Sequence, residues 1–180
     1  MKLFKLCILA VSLTIIGVNC SSTGTATTES VSKAPSSIYP IWYQTSGYLA
    51  DSTSFHAFGT AISADSATAM EKAEQQARII LESEIAELTE DIRQEMIDEG
   101  STDAANTDFI IILRTAHSLV QDEANVTQSI ARVEDGKYCG FSAVRISKPE
   151  TVSVLEKGFT GHPRYWGGFS GATMFKASFE

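Results

Sequence analysis

Three stretches of this 180-residue chain specify an α+β fold: a small antiparallel sheet packed by one long and one shorter helix, in the order strand, helix, helix, strand, strand. The first is residues 65–99, where Met70, Ala73, Ala77, Leu81, Ile85, Leu88, Ile92 and Met96 recur every three or four residues, the spacing that keeps side chains on one face of an α-helix. The second is the alternation of Phe55, Ala57, Gly59 and Ala61 with His56, Phe58, Thr60 and Ile62, the period of a strand. The third is a hairpin: residues 125–133 and 138–146 alternate on either side of the turn Glu134-Asp135-Gly136-Lys137.

Taken in order, the chain begins with Lys2 and Lys5 ahead of an apolar run over residues 6–18, which has the length of an export signal and is short for a membrane span. Residues 16–22, Ile-Gly-Val-Asn-Cys-Ser-Ser, resemble the bacterial lipoprotein signal, in which the cysteine becomes the lipidated first residue of the mature chain. The alternative is an ordinary signal peptide cut after Cys20. On the first reading the chain divides into a signal peptide at 1–19, lipidated Cys20 with a Ser- and Thr-rich tether over 20–37, an α+β domain at 38–147 and a Gly- and aromatic-rich tail at 148–180.

Inside the domain, Ile38, Tyr39, Pro40, Ile41, Trp42 and Tyr43 mark the edge, with Trp42 read as a packing anchor. Short β-like runs then flank the polar turn at residues 51–54. Gly59 allows another backbone to come close, and the strand is expected to lie under the long helix with both faces partly covered. Asp65 or Ser66 caps the start of that helix and Gly100 ends it, while Ile80 widens its apolar stripe. The opposite face carries Glu71, Glu74, Glu82, Glu84, Glu87, Glu90, Asp91, Glu95, Asp98 and Glu99 against Lys72, Arg78 and Arg93, a solvated acidic surface. The run Phe-Ile-Ile-Ile-Leu at 109–113 continues through Ala116, Leu119 and Val120 and reads as a second helix capped by Asp108, with Ile112, Ala116, Leu119 and Val120 on one side. Lys148 and Pro149 end the last strand, and a short helix is expected over 151–157. In the tail beyond, Phe159, Tyr165, Trp166, Phe169, Phe175 and Phe179 are set among glycines that oppose regular structure. The tail either wraps the domain, docks on a neighbouring subunit or stays disordered.

The whole chain has 14 basic and 22 acidic residues; without residues 1–19 the balance is 12 against 22, which repels phosphate backbones and argues against nucleic acid as a partner. With Cys7 removed and Cys20 acylated, Cys139 is left as a lone core thiol. Histidines 56, 117 and 162 are far apart in sequence, His56 reads as structural, and no phosphate loop, zinc-protease or nucleophile-elbow motif occurs. No catalytic residue, metal or cofactor is expected.

Pro40-Ile41-Trp42-Tyr43, Phe58-Gly59-Thr60-Ala61, Ala69 with Ala73, Ala77 and Arg78, and Val133-Glu134-Asp135-Gly136-Lys137-Tyr138 together make residues 38–147 similar to the Lpp-twenty lipoprotein family. Cys139, Gly140 and the aromatic tail depart from its pattern. The resemblance implies an outer-membrane lipoprotein without catalytic residues, in a group that includes envelope antigens and flagellar basal-disk or motor-associated proteins. The expectation is a lipid-anchored, periplasm-facing envelope protein that works through protein contacts, as a homo-oligomer or in a larger assembly. Cys20 is the lipidation site, and Trp42, Tyr165, Trp166 and Phe169 are candidate partner-binding residues, along with the sheet edges and the hairpin tip. The alternative is a periplasmic module that holds a small ligand or peptidoglycan fragment between the sheet and Trp42 or Trp166.

Overall fold

The computed structural model describes residues 38–180; Cys20, the leader and the tether lie outside them. Strands β1 (Tyr48–Ala50) and β2 (Ser54–Ser63) form a hairpin, followed by helices α1 (Ser66–Asp98) and α2 (Thr107–Glu123), a second hairpin of β3 (Asn125–Glu134) and β4 (Lys137–Ser147), and helices α3 (Lys148–Gly158), α4 (Pro163–Gly171) and α5 (Thr173–Phe179). The sheet order is β1-β2-β4-β3 with every neighbour antiparallel. The α+β class and the order of the first elements are as the sequence predicts.

The turns and caps are local. Asp135 and Gly136 both have positive φ, 49° and 74°, which suits a two-residue hairpin turn. Asp65 caps α1 by accepting from the Thr68 amide. At its other end Gly100, at φ 92°, lets the Gly100 amide reach Ile97 O and the Ser101 amide reach Met96 O, the paired bonds of a Schellman ending. Helix α2 is capped by Asn106 rather than Asp108: the Asn106 side chain takes the Asp108 amide, leaving Asp108 as the first-turn acid.

The buried stripe of α1 is Ala69, Ala73, Ala77, Leu81, Ile85, Thr89, Ile92 and Met96, so Ala69 and Thr89 replace the expected Met70 and Leu88. Two contacts fix this choice. Over the first turns the helix lies so close to the sheet that a Cβ on Gly59 would fall 2.1 Å from Ala73 O, and one on Gly140 2.1 Å from Ala69 O. Only glycine below and alanine above fit there. Farther along, the Thr89 hydroxyl meets His117 Nε2 of α2 at 2.5 Å and donates to Ala86 O at 3.1 Å, so the imidazole supplies the proton between them. The face of α2 is rotated correspondingly: Phe109, Leu113, Ala116, His117 and Val120 are buried, with Ile112 and Leu119 at the margin.

Of the alternatives for the C-terminal segment, the structure shows that it wraps the domain, and only the expectation that its glycines prevent regular structure is corrected. The described residues form one compact unit, and the glycine-rich tail is helical in α4 and α5. Ser147 and Glu150 form a capping box at the start of α3, and Pro163 presets the first turn of α4. Phe159, Phe169, Phe175 and Phe179 are buried, with ring contacts running from Phe109 through Phe159, Phe169, Phe175 and Phe179 to Phe55. Tertiary packing thus overrides the weak helix propensity of Gly167, Gly168 and Gly171.

Replacing Gly59 or Gly140 by alanine is expected to destabilise the domain by about 3 kcal/mol, since backbone rather than a flexible side chain must yield. Gly171→Ala, which meets open space, should change stability by less than about 0.5 kcal/mol in the same urea titration. Burial lowers the His117 pKa from 6.5 to about 4, so the unfolded chain takes up a proton in a range where the folded one does not. Stability from this group is therefore complete above pH 6.5 and falls as the pH drops toward 4. Between about pH 7.5 and pH 4.5 the loss should be about 2.5 kcal/mol by urea unfolding, and His117→Gln should remove most of that dependence.

Candidate functional site

The outward face of the sheet follows from the register. On β2 it presents His56, Phe58, Thr60 and Ile62, opposite Arg145, Ala143, Phe141 and Cys139 of β4. On β3 it presents Gln128, Ile130 and Arg132. The lead-in segment crosses this face in a turn closed by the Tyr43 amide on Pro40 O, 3.0 Å. Tyr39 and Tyr43 stack at 5.4 Å and set their rings edge-on against Phe141, while Tyr43 also meets Phe58. Arg132 donates to Ile38 O at 2.8 Å and ties the start of the segment to β3. Trp42 rests edge-on against Tyr43 and is half-buried, whereas Ile41, at the apex of the turn, is 102 % exposed. Beside the turn lies a groove of about 420 Å³ lined by Ile38, Tyr39, Ile62, Cys139 and Phe141.

The sheet's two edges differ. Strand β1 is three residues long, but β3 has ten, and residues 125–130 are all exposed. A register shift between Val126 and Gln128 interrupts its pairing to β4; beyond it the ladder runs unbroken from Gln128 to Glu134. Because β3 is the terminal strand, the other side of its backbone has no strand neighbour among the described residues. Ile130 and Val133, the latter 66 % exposed, stand on its two faces.

A second groove, about 360 Å³, opens on the helical side between Tyr48 and Phe55 of the first hairpin, Glu84, Glu87, Leu88 and Asp91 of α1, Lys148, and Ala177 and Ser178 of α5. Tyr48 and Phe55 stack at 6.5 Å to floor it, and Lys148 Nζ lies 6.0 Å from the Phe55 ring centre. Burial, together with the Glu84 carboxylate, raises the Tyr48 hydroxyl pKa to about 12, so the phenol stays protonated.

The histidines serve structure. His56 Nε2 pairs with Asp51 at 3.0 Å, and Asp51, held by the Thr53 amide and by His56, is acidic well below the usual carboxylate range. His117 belongs to the α1–α2 contact, and His162 stacks on Tyr165. Cys139 is buried, and its thiol pKa is raised by burial and by the Glu134 carboxylate, which favours the inert thiol form. Among the described residues no cluster of three His, Cys, Asp or Glu side chains is arranged to hold a metal ion.

The four aromatic candidates are split between two layers. Trp42 is on the outward sheet face, while Tyr165 and Trp166 belong to the helical cap, where Trp166 packs on Phe159, Phe169 and Phe175. Phe169 is fully buried in the core and presents nothing to a partner, which corrects its assignment as a contact residue. Trp166, on the opposite side of the molecule from that sheet face, cannot clamp a ligand against it. Cys20 lies outside the described residues. Ile41 carries no periodic signal because it sits in a turn, whereas Ile62 is placed on this face by the alternation of β2 but its exposure depends on what the rest of the chain leaves uncovered. No family model matches this chain, nor does any curated protein or solved structure.

Proposed function

We propose that this chain is a lipid-anchored protein of the bacterial outer membrane, periplasm-facing, whose domain works through protein–protein contacts as a homo-oligomer or in an envelope assembly, without catalysis. The observation that carries this reading is the β3 edge. Natural sheets blunt long edges with lysine, proline, cover or bulges, because unpaired N–H and C=O groups recruit another strand. From Gln128 to Glu134 this edge has one basic residue, Arg132, and no proline, and it carries exposed Ile130 and Val133. A partner strand added there would pair that backbone and cover both side chains. The basic and apolar pattern of residues 2–18, followed by Cys20, supports the anchor.

The test is light scattering and cross-linking of the mature chain in envelope extracts, with mass spectrometry of its N-terminus. A diacylglyceryl group on Cys20 and an oligomer or cross-linked partner are expected. Ile130→Lys with Val133→Lys should abolish assembly at unchanged thermal stability, whereas Glu87→Lys on α1 should leave it intact. A strict monomer at high concentration with no envelope partner, or a free Ser21 N-terminus, would defeat the reading.

A further inference from the structure

We infer that the turn over residues 38–43 is a lipid-contacting tip: Ile41 and Trp42 enter the interfacial region of the bilayer and seat the domain with its outward sheet face toward the membrane. This rests on the anchored reading of Cys20. Three features of the structure carry it.

The first is exposure. Ile41 is fully exposed at the apex of a turn whose other aromatics are committed to the sheet: Tyr39 and Tyr43 pack on Phe141 and Phe58, and this buttress fixes the tip outward. An aliphatic side chain beside an indole is the composition that settles at a headgroup boundary, where tryptophan's polar N–H stays wet and its ring does not.

The second is position. The tip begins at Ile38, and Cys20 is 18 residues upstream in sequence. Even fully extended, such a segment spans at most about 65 Å. An acyl group on Cys20 therefore keeps the tip near the bilayer at an effective concentration far above that of a free chain, and a contact of two side chains suffices.

The third is charge. Helix α1 carries nine acidic residues against three basic ones and lies on the other face of the sheet. The outward face and its hairpin carry Arg132, Arg145 and Lys137 against Glu134, Asp135, Asp51 and Glu150 beside Arg145, within one charge of balance. A surface rich in anionic lipid repels the first side and tolerates the second, so the tip is the side that approaches.

Depth-dependent quenching tests this on the full chain, purified from membranes and reconstituted into phosphatidylethanolamine/phosphatidylglycerol vesicles with bromine on the upper acyl chain. The two tryptophans are separated by comparison with Trp42→Phe, which retains only the core-packed Trp166. The Trp42 emission should fall at least twofold, the Trp166 emission should not, and Ile41→Asn should reverse most of the Trp42 quenching. Unquenched Trp42 in a chain shown by mass spectrometry to be acylated overturns the tip while leaving the anchor. Quenching in an unacylated chain keeps the tip and overturns the anchor, and an unacylated, unquenched chain overturns both. Protection of Trp42 that grows with the protein-to-lipid ratio overturns the tip in favour of a second copy seated there.

Discussion

Helix α1 lies against the sheet at backbone contact distance, and the remaining packing is arranged around that approach. Gly59 on β2 and Gly140 on β4 lack the atom that would strike the carbonyls of Ala73 and Ala69, and the helix answers with alanine at 69, 73 and 77. Larger residues on either side would lift the helix and open a gap that nothing nearby could fill. With its first turns held down, α1 carries its later, bulkier stripe of Leu81, Ile85, Ile92 and Met96 toward the helical layer, where α2, α4 and α5 close over it. The aromatic rings of the C-terminal segment fill that layer.

The acidic face of α1 does more than keep the domain dissolved. Arg78 is aligned by Glu74 and donates to Gln121 O and Ala124 O, satisfying carbonyls at the end of α2 where the helix dipole favours a cation. Arg93, held by Glu90, donates to Ala104 O in the α1–α2 connection, and Glu95 accepts the Met174 amide at the start of α5. Arg164 of α4 binds Asp103 in the same connection. Most of these clamps are half-exposed, so each contributes modestly; their effect is to fix where helices end and how loops run. Two of the three basic residues on a face that reads as plain acidic surface are committed to this task.

The resulting molecule has two unlike sides. One is the helical layer, with its acidic exterior and closed aromatic interior; the other is a sheet face only partly covered by the turn over residues 38–43, bordered by the edge of β3, which has no strand neighbour among the described residues. On the second side Ile41, Ile62 and Ile130 are left in water, while Ile79 and Ile111 are the exposed aliphatic residues of the helices.

The elements that could be read before folding are those whose information is local: the caps at Asp65 and Gly100, the Asp135–Gly136 turn, the period of α1 and the alternation of β2 and β4. Trp42 was visible as an aromatic beside a proline, but its exposure relative to Tyr39 and Tyr43 depends on where Phe58 and Phe141 stand across two strands. The groove at Tyr48, Phe55, Glu84 and Lys148 joins residues from five elements and has no signature along the chain. Likewise the tail's glycines outweighed its phenylalanines locally, and the balance reversed once Phe109 and Phe55 supplied rings to pack against. The sequence alone determined the α+β class, the boundaries of its long helix and hairpins, and the acidic exterior, because propensity, periodicity and charge act between near neighbours. Only the tertiary structure decided which residues of each stripe are buried, that the C-terminal aromatics belong to the core, and that Ile41 and the β3 edge remain in water, because burial depends on what the rest of the chain brings to each surface.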